Sequence, residues 1–204
     1  MPAVVTTSAS TARIRVLQAY YCLLLAAVAV CQPLYADAKI GRLAAITGFV
    51  FIALATLGRI WTSLYIAGNK DARVVTSGPY ARCRHPLYGL SIVASLGLGL
   101  VTRSVALAAL TVALSLVLHV AAALAEERRL AATLGGEYLD YAARVPRFWP
   151  RRARVPVPAA LTVAPSIYWK AFLDGGAVFA LYVALELIGA GRGAGLWRPL
   201  FSVY

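Results

Sequence analysis

The chain has 204 residues, 61% hydrophobic and only 14% charged, with a formal net charge of +12. A soluble domain carries about 45–50% apolar and about 25% charged residues. These figures exclude a disordered chain, a disulfide-stapled secreted module and most soluble enzymes, and they favour a single domain, residues 1–204, whose apolar surface faces a bilayer. Three cysteines and two histidines argue against a disulfide framework and a multi-histidine metal centre, so no metal is assigned.

A spanning helix needs about 20 mostly apolar residues, and five stretches qualify or come close. The first runs from Val16 to Ala36 and reads as a retained helix rather than a signal peptide, since no small-x-small cleavage site follows it. The second runs from Leu43 to about Ile66 with Arg59 inside it. The third, Pro86 to Val101, is short, and its Gly89, Gly97 and Gly99 would admit neighbouring backbones closely. A tight Thr102-Arg103 turn pairs it with the fourth, Ser104 to Ala125. Nothing stops that helix at Glu126, so it is expected to leave the bilayer and continue to about Leu134. The fifth candidate, Ile167 to Ile188 (166–190 at its widest), carries Lys170, Asp174 and Glu186.

With five spans and a cytoplasmic N-terminus, most basic residues fall on the cytoplasmic side, among them Arg13, Arg15, Arg82, Arg84, Arg128, Arg129, Arg144, Arg147 and Arg151. The positive charge is then topology and attraction to anionic lipid, not nucleic-acid binding. The expected fold class is all-α: a polytopic integral membrane protein with about five transmembrane helices, in a bacterial plasma membrane with its polar site facing the cytoplasm.

Two polar segments, Gly68 to Tyr88 and Glu126 to Pro150, lie on that same side. Gly78-Pro79-Tyr80 reads as a turn that brings the extended stretch Asp71 to Val75 back under the bilayer. Pro86 suits the first position of a helix. His85 then stands at the cap and Tyr88 lies over the same first turn; His85 either caps the helix or belongs to a site. Glu126 and Glu127 at the bilayer boundary either grip a ligand cation or pair with Arg128, Arg129 or Arg82. His119 shares a face with Glu126, two turns away, and is expected to be a neutral imidazole bonded to a neighbouring helix. Lys170 and Asp174 are spaced to pair, while Glu186 is expected to meet a basic residue such as Arg59 or Arg192, or to reach the outer headgroups.

The run from Val75 to Tyr88, with Ser77-Gly78-Pro79-Tyr80 followed by Arg84-His85-Pro86-Leu87-Tyr88, resembles the S-adenosylmethionine-binding segment of the isoprenylcysteine carboxyl methyltransferase family. The second motif resembles it too: Glu126-Glu127-Arg128-Arg129-Leu130, then Gly135-Gly136-Glu137-Tyr138-Leu139-Asp140-Tyr141, then Val145-Pro146. The likeness covers about residues 66–150, and phospholipid methyltransferases share a looser form of it. Ala122 stands where eukaryotic members carry an arginine, and the chain continues past Pro150.

The resemblance implies a small helical membrane enzyme with a cytosolic pocket, formed by the loop before the third helix and the extension of the fourth. The cofactor would be S-adenosyl-L-methionine, held by Ala72, Arg73, Val74 and Val75, by Tyr80, by His85, Pro86, Leu87 and Tyr88, and by Glu126. A methyl group would pass to a lipophilic or lipid-tailed acceptor, isoprenylcysteine carboxyl O-methylation being the leading form. Arg144 and Arg147 would contact an acceptor carboxylate, and Glu127 or His85 would serve as base for an amine or thiol. The alternatives are a phospholipid or small-molecule N- or S-methyltransferase, or a non-catalytic transporter or subunit with Arg59, His119 and Glu186 along a water path.

Overall fold

The computed structural model describes residues 8–33, 39–66, 73–152, 154–156, 158–161, 163, 165–196, 198 and 200–203. In chain order the elements are α1 (Ser8–Val30), β1 (Cys31–Pro33), α2 (Lys39–Ile66), α3 (Pro86–Val101), α4 (Val105–Leu134), α5 (Gly136–Arg144), α6 (Pro165–Gly193) and β2 (Phe201–Val203), with one 3-10 turn at Gly78–Ala81. The architecture is helical, apart from β1 and β2, which pair in parallel with Cys31 opposite Phe201.

Three helices, α2, α4 and α6, are long and apolar enough to cross a membrane; Ile14–Val30 and α3 are shorter apolar helices. The first helix stops at Val30, short of the expected Ala36. Pro33 cannot donate to a helix and pushes the preceding residue toward extended backbone, and the chain joins β2 instead. Residues 34–36 fall outside the described part. The last helix runs past Ile188 to Gly193 despite its glycines, because Arg192 reaches the carbonyls of Val28 and Cys31 at the end of α1. It closes on Gly195 at φ +75°, with Leu196 N–H bonded to Gly191 O and Gly195 N–H to Arg192 O, a Schellman end.

Small residues set the spacing of the helices. A Cβ on Gly97 would stand 2.6 Å from Gly48 O, and one on Gly99 would stand 2.8 Å from Ala108 Cα. These are the α2–α3 and α3–α4 crossings, and Gly175 meets Thr56 in the same way where α6 crosses α2. Gly89 has nothing within 4 Å, so it plays no part in the close approach expected of it. Leu24, Val28, Ile52, Leu98, Val101 and Leu185 form the buried core between α1, α2, α3 and α6. Large apolar side chains such as Leu43, Leu57, Val117 and Leu187 stand exposed on the outer faces of the helices, as lipid-facing surfaces do.

The α3–α4 hairpin is tight. Ser104 caps α4 by accepting Leu107 N–H at 3.4 Å, and Arg103 takes φ +57°. That turn is locked to α6 by a two-pronged bond from Arg103 to Glu186, 3.0 and 2.9 Å. Glu186 therefore meets neither Arg59 nor Arg192: Arg103 lies at the same end of the bundle, whereas Arg59 bonds Ser91 and faces Asp174 at 3.8 Å. Asp174 also pairs with Lys170 at 3.6 Å, as its i, i+4 spacing predicts.

At its other end α4 continues unbroken through Glu126 and Glu127 to Leu134. Gly135, at φ +56°, then turns the chain into α5, which sequence reading left as part of a polar stretch. Tyr138, Tyr141 and Val145 form a second buried cluster, packed against Val74, Leu130 and Leu134.

Candidate active site

Pro86 opens α3 and keeps His85, the residue before it, out of the helical region at φ −123°, ψ 58°. A strap after α5 runs beside this stretch: Arg84 N–H donates to Pro146 O (2.9 Å), His85 N–H to Arg147 O (3.0 Å), and Arg151 N–H to Arg82 O (3.0 Å). The loop into α3 is thus fixed by backbone bonds before any side chain is considered. Tyr141 adds a bond from its hydroxyl to Tyr80 O at 2.8 Å.

The extension of α4 carries two adjacent glutamates with different partners. Glu127 accepts from Arg147 Nε at 2.9 Å and Nη2 at 2.8 Å, lies 3.0 Å from Arg84 Nη1, and is bonded to His85 Nε2 at 2.9 Å. Burial pushes its carboxyl up, but the bonds from Arg147 and His85 and the charge of Arg84 outweigh burial and leave it below the ordinary range. Glu126 accepts from Tyr88 Oη at 2.9 Å and lies 3.9 Å from His85 Nδ1. The cations seen at Glu127, Arg84 and Arg147, come from the loop and the strap.

His85 is 6% exposed, and its side chain makes no cap bond to the helix. Burial lowers its pKa, with the two glutamates only partly offsetting that, so the ring is neutral at neutral pH. Nε2–H donates to Glu127, which leaves the lone pair on Nδ1, the nitrogen facing Glu126. Tyr88 stacks on His85, centroids 5.5 Å apart and planes within 9°, and its other neighbour is the His119 ring at 5.6 Å. His119 itself bonds the carbonyl of Ser115, one turn back on its own helix, at 2.8 Å. Its ring also meets Tyr88 of α3, a neighbouring helix.

Beside these groups is a pocket, about 530 Å³ of space when the part open to solvent is counted. Of the residues expected to hold a cofactor, Arg73, Val74, Val75, Tyr80, His85 and Glu126 line it. Tyr88 stands behind Glu126 and holds it. Pro86 and Leu87 are outside the lining: Pro86 is the buried start of α3, and Leu87 offers its carbonyl to Ser91 at 2.8 Å. Ala72 lies outside the described residues. Of the three expected catalytic groups none lines the pocket. Arg147 is held by Glu127, and Arg144 is exposed with its Nε on Asp140 O at 3.0 Å.

Arg84, Leu130, Tyr138 and Tyr141, which the motifs contain but sequence reasoning gave no ligand role, line the pocket as well, as does Leu134. The signal was present in the Tyr138, Tyr141, Val145 spacing, one face of a helix. Two polar atoms buried in this wall, Tyr138 Oη and Arg84 Nε, make no well-formed hydrogen bond, and the two side chains lie within reach of one another. Buried polar groups are ordinarily bonded, so a ligand with polar groups suits them. Glu126 suits a cation, Arg84 an anion, and Val74, Val75, Leu130 and Leu134 an apolar ring or stem. That donor set fits an amino-acid-bearing sulfonium nucleoside.

The sequence profile of the isoprenylcysteine carboxyl methyltransferase (ICMT) family matches residues 40–132. The chain is 36% identical over 156 residues to the cobalt-zinc-cadmium resistance protein CzcN of Cupriavidus metallidurans, covering 76% of this chain and 72% of that protein. It is 34% identical over 154 residues to the nickel-cobalt-cadmium resistance protein NccN of Alcaligenes xylosoxydans xylosoxydans, covering 76% and 71%. No solved structure matches it significantly. The first motif and the opening of the second, Glu126 to Leu130, joined through Tyr88, His85 and the glutamates, fall within residues 40–132, and the chain belongs to the isoprenylcysteine carboxyl methyltransferase family.

Proposed function

We propose that this protein is an S-adenosylmethionine-dependent methyltransferase of the membrane, acting on a lipophilic or lipid-tailed acceptor at the cytoplasmic boundary. The observation that carries the proposal is the Tyr88–Glu126 bond of 2.9 Å, which joins the two motifs across 38 positions at the edge of a pocket of about 530 Å³. In this reading all five apolar helices span. At 16 residues, α3 is about 24 Å long, shorter than the hydrocarbon core, and its loop end lies inside the headgroup layer.

When bound, S-adenosylmethionine supplies a methyl group already activated by its sulfonium. Glu126, positioned by Tyr88, offsets the ligand's positive charge, and Arg84 and Tyr138 offer donors to its carboxylate. Val74, Val75, Leu130 and Leu134 exclude water. An acceptor carboxylate needs no base, only desolvation and alignment. An amine or thiol acceptor needs one, and His85 fits better than Glu127: its ring is neutral with Nδ1 open toward Glu126, whereas Glu127 is ionised and shared among three partners. Glu127 and Arg147 then act by positioning His85 and Arg84. The apolar tail of the acceptor enters from the bilayer beside α4.

The relatives' names concern metal resistance. On the methyltransferase reading, a resistance role here would run through a methylated product. The transporter alternative lacks support from the groups offered for it: Arg59, His119 and Glu186 each face a protein partner.

The test is calorimetry of the detergent-purified chain with S-adenosylhomocysteine, followed by mass spectrometry of a lipid extract incubated with methyl-labelled cofactor. Saturable binding and a labelled lipid-soluble product are expected. A folded sample that binds nothing overturns the proposal.

A further inference from the structure

A second hollow opens on the far side of the same loop. Among the described residues its walls are Arg82, Arg151, Arg152, Arg154 and Pro150, around about 820 Å³ of open space. No residue lines both this hollow and the first pocket. The loop sorts its side chains between them: Tyr80 and Arg84 face the pocket, and Arg82, between them, faces the hollow.

We propose that this hollow is a docking site for the phosphate of an anionic lipid headgroup. Four guanidinium groups line one space, and among the described residues no Asp or Glu lines it with them. Like charges so gathered repel one another, and an entering anion relieves the repulsion. The guanidinium fork matches phosphate oxygens two at a time. The backbone beneath is already set: Arg151 N–H bonds Arg82 O at 3.0 Å, Arg151 Nε reaches Ala81 O at 3.3 Å, and Gly78 N–H bonds Pro156 O at 3.1 Å. Docking therefore orders side chains rather than a loose strand.

Position selects a lipid over a free phosphate. The strap leads from α5 toward Pro165, the first residue of α6, and lies on the loop that enters α3 at Pro86. In the five-span topology proposed above, both helices enter the bilayer from this side, which places the hollow at headgroup level. Next to it Trp149 is 86% exposed, an indole placed as interfacial anchors are. A docked headgroup also steadies the loop whose other side forms the cofactor pocket.

The experiment needs neither cofactor nor methyl acceptor, so its failure is separate from that of the methyltransferase reading. The full chain in detergent is titrated with phosphatidylglycerol or with phosphatidylcholine of the same acyl chains, and retained lipid is counted by native mass spectrometry. The expected result is retention of phosphatidylglycerol at about tenfold lower concentration. That preference should fall to about twofold or less in Arg152→Gln/Arg154→Gln, and survive in Arg128→Gln/Arg129→Gln, which removes the same charge from the extension of α4. Circular dichroism confirms that both variants are folded; should the first not be, single Arg152→Gln replaces it and should lose part of the preference. An equal loss in both variants assigns the preference to overall charge and overturns the proposal. So does displacement of the lipid by inorganic phosphate at lipid-like concentration.

Discussion

Glu126 and Glu127 are neighbours in the chain and differ in everything that follows from their surroundings. Successive residues on a helix point about 100° apart. One carboxylate therefore meets the loop and strap cations, and the other meets Tyr88 at the pocket edge. Replacing Glu126 by Gln should weaken S-adenosylhomocysteine binding about tenfold, and Tyr88→Phe somewhat less, with melting temperature little changed. Calorimetry and a thermal melt separate the two effects. Glu127→Gln should behave in the opposite way: it leaves Arg84 and Arg147 without their anion and should cost about 2 kcal/mol of stability, read as a lower melting temperature. His85 adds a pH dependence. Its folded pKa is depressed below the ordinary 6.5, so the unfolded chain binds more protons in that window and stability falls as pH drops below about 6.5. The lowered carboxyl of Glu127 acts in the same direction at lower pH, below its ordinary 4.5. Melting curves from pH 8 to 5 should therefore decline toward acid, and His85→Gln should flatten the upper part of that decline.

At the scale of the elements, two features place the site: the close crossing of α2 and α3, and the length of α4. Gly97 lets α3 lie against the backbone of α2. A Cβ there meets Gly48 O at 2.6 Å and Ile52 Cγ1 at 2.8 Å, atoms of a packed backbone and core. Gly97→Ala should therefore destabilise the chain by about 1–3 kcal/mol, while Gly89→Ala, with open space around it, should be neutral or slightly stabilising. Thermal melts of both variants in one detergent make the comparison. The extension of α4 was legible in its sequence, because nothing between Ala125 and Leu134 breaks a helix. The helix after it was not, because Gly135-Gly136 reads as the start of a loop, and only the burial of Tyr138, Tyr141 and Val145 against Val74, Leu130 and Leu134 makes nine polar-looking residues a helix.

For the whole molecule, the distribution of arginine and lysine proposes an N-terminus in the cytoplasm, and the structure puts the motif-bearing loop, the α4 extension and the strap at one end of the bundle. In intact cells carrying a Cys31→Ala chain, an impermeant thiol reagent should label Gly195→Cys and leave Arg128→Cys unlabelled. The reverse pattern would put the site on the outer side. Sequence alone determined the apolar helical stretches, the helical class, the two motifs and hence the family, because these depend on local composition, periodicity and order along the chain. Tertiary structure alone decided which cation each acid meets: Glu186 with Arg103, and Glu127 with Arg84 and Arg147. It alone left Arg144 outside the pocket lining and put Tyr138 and Arg84 within it. Charge pairing and burial depend on which helix ends come together in space, and spacing along one helix cannot encode a partner that arrives from another.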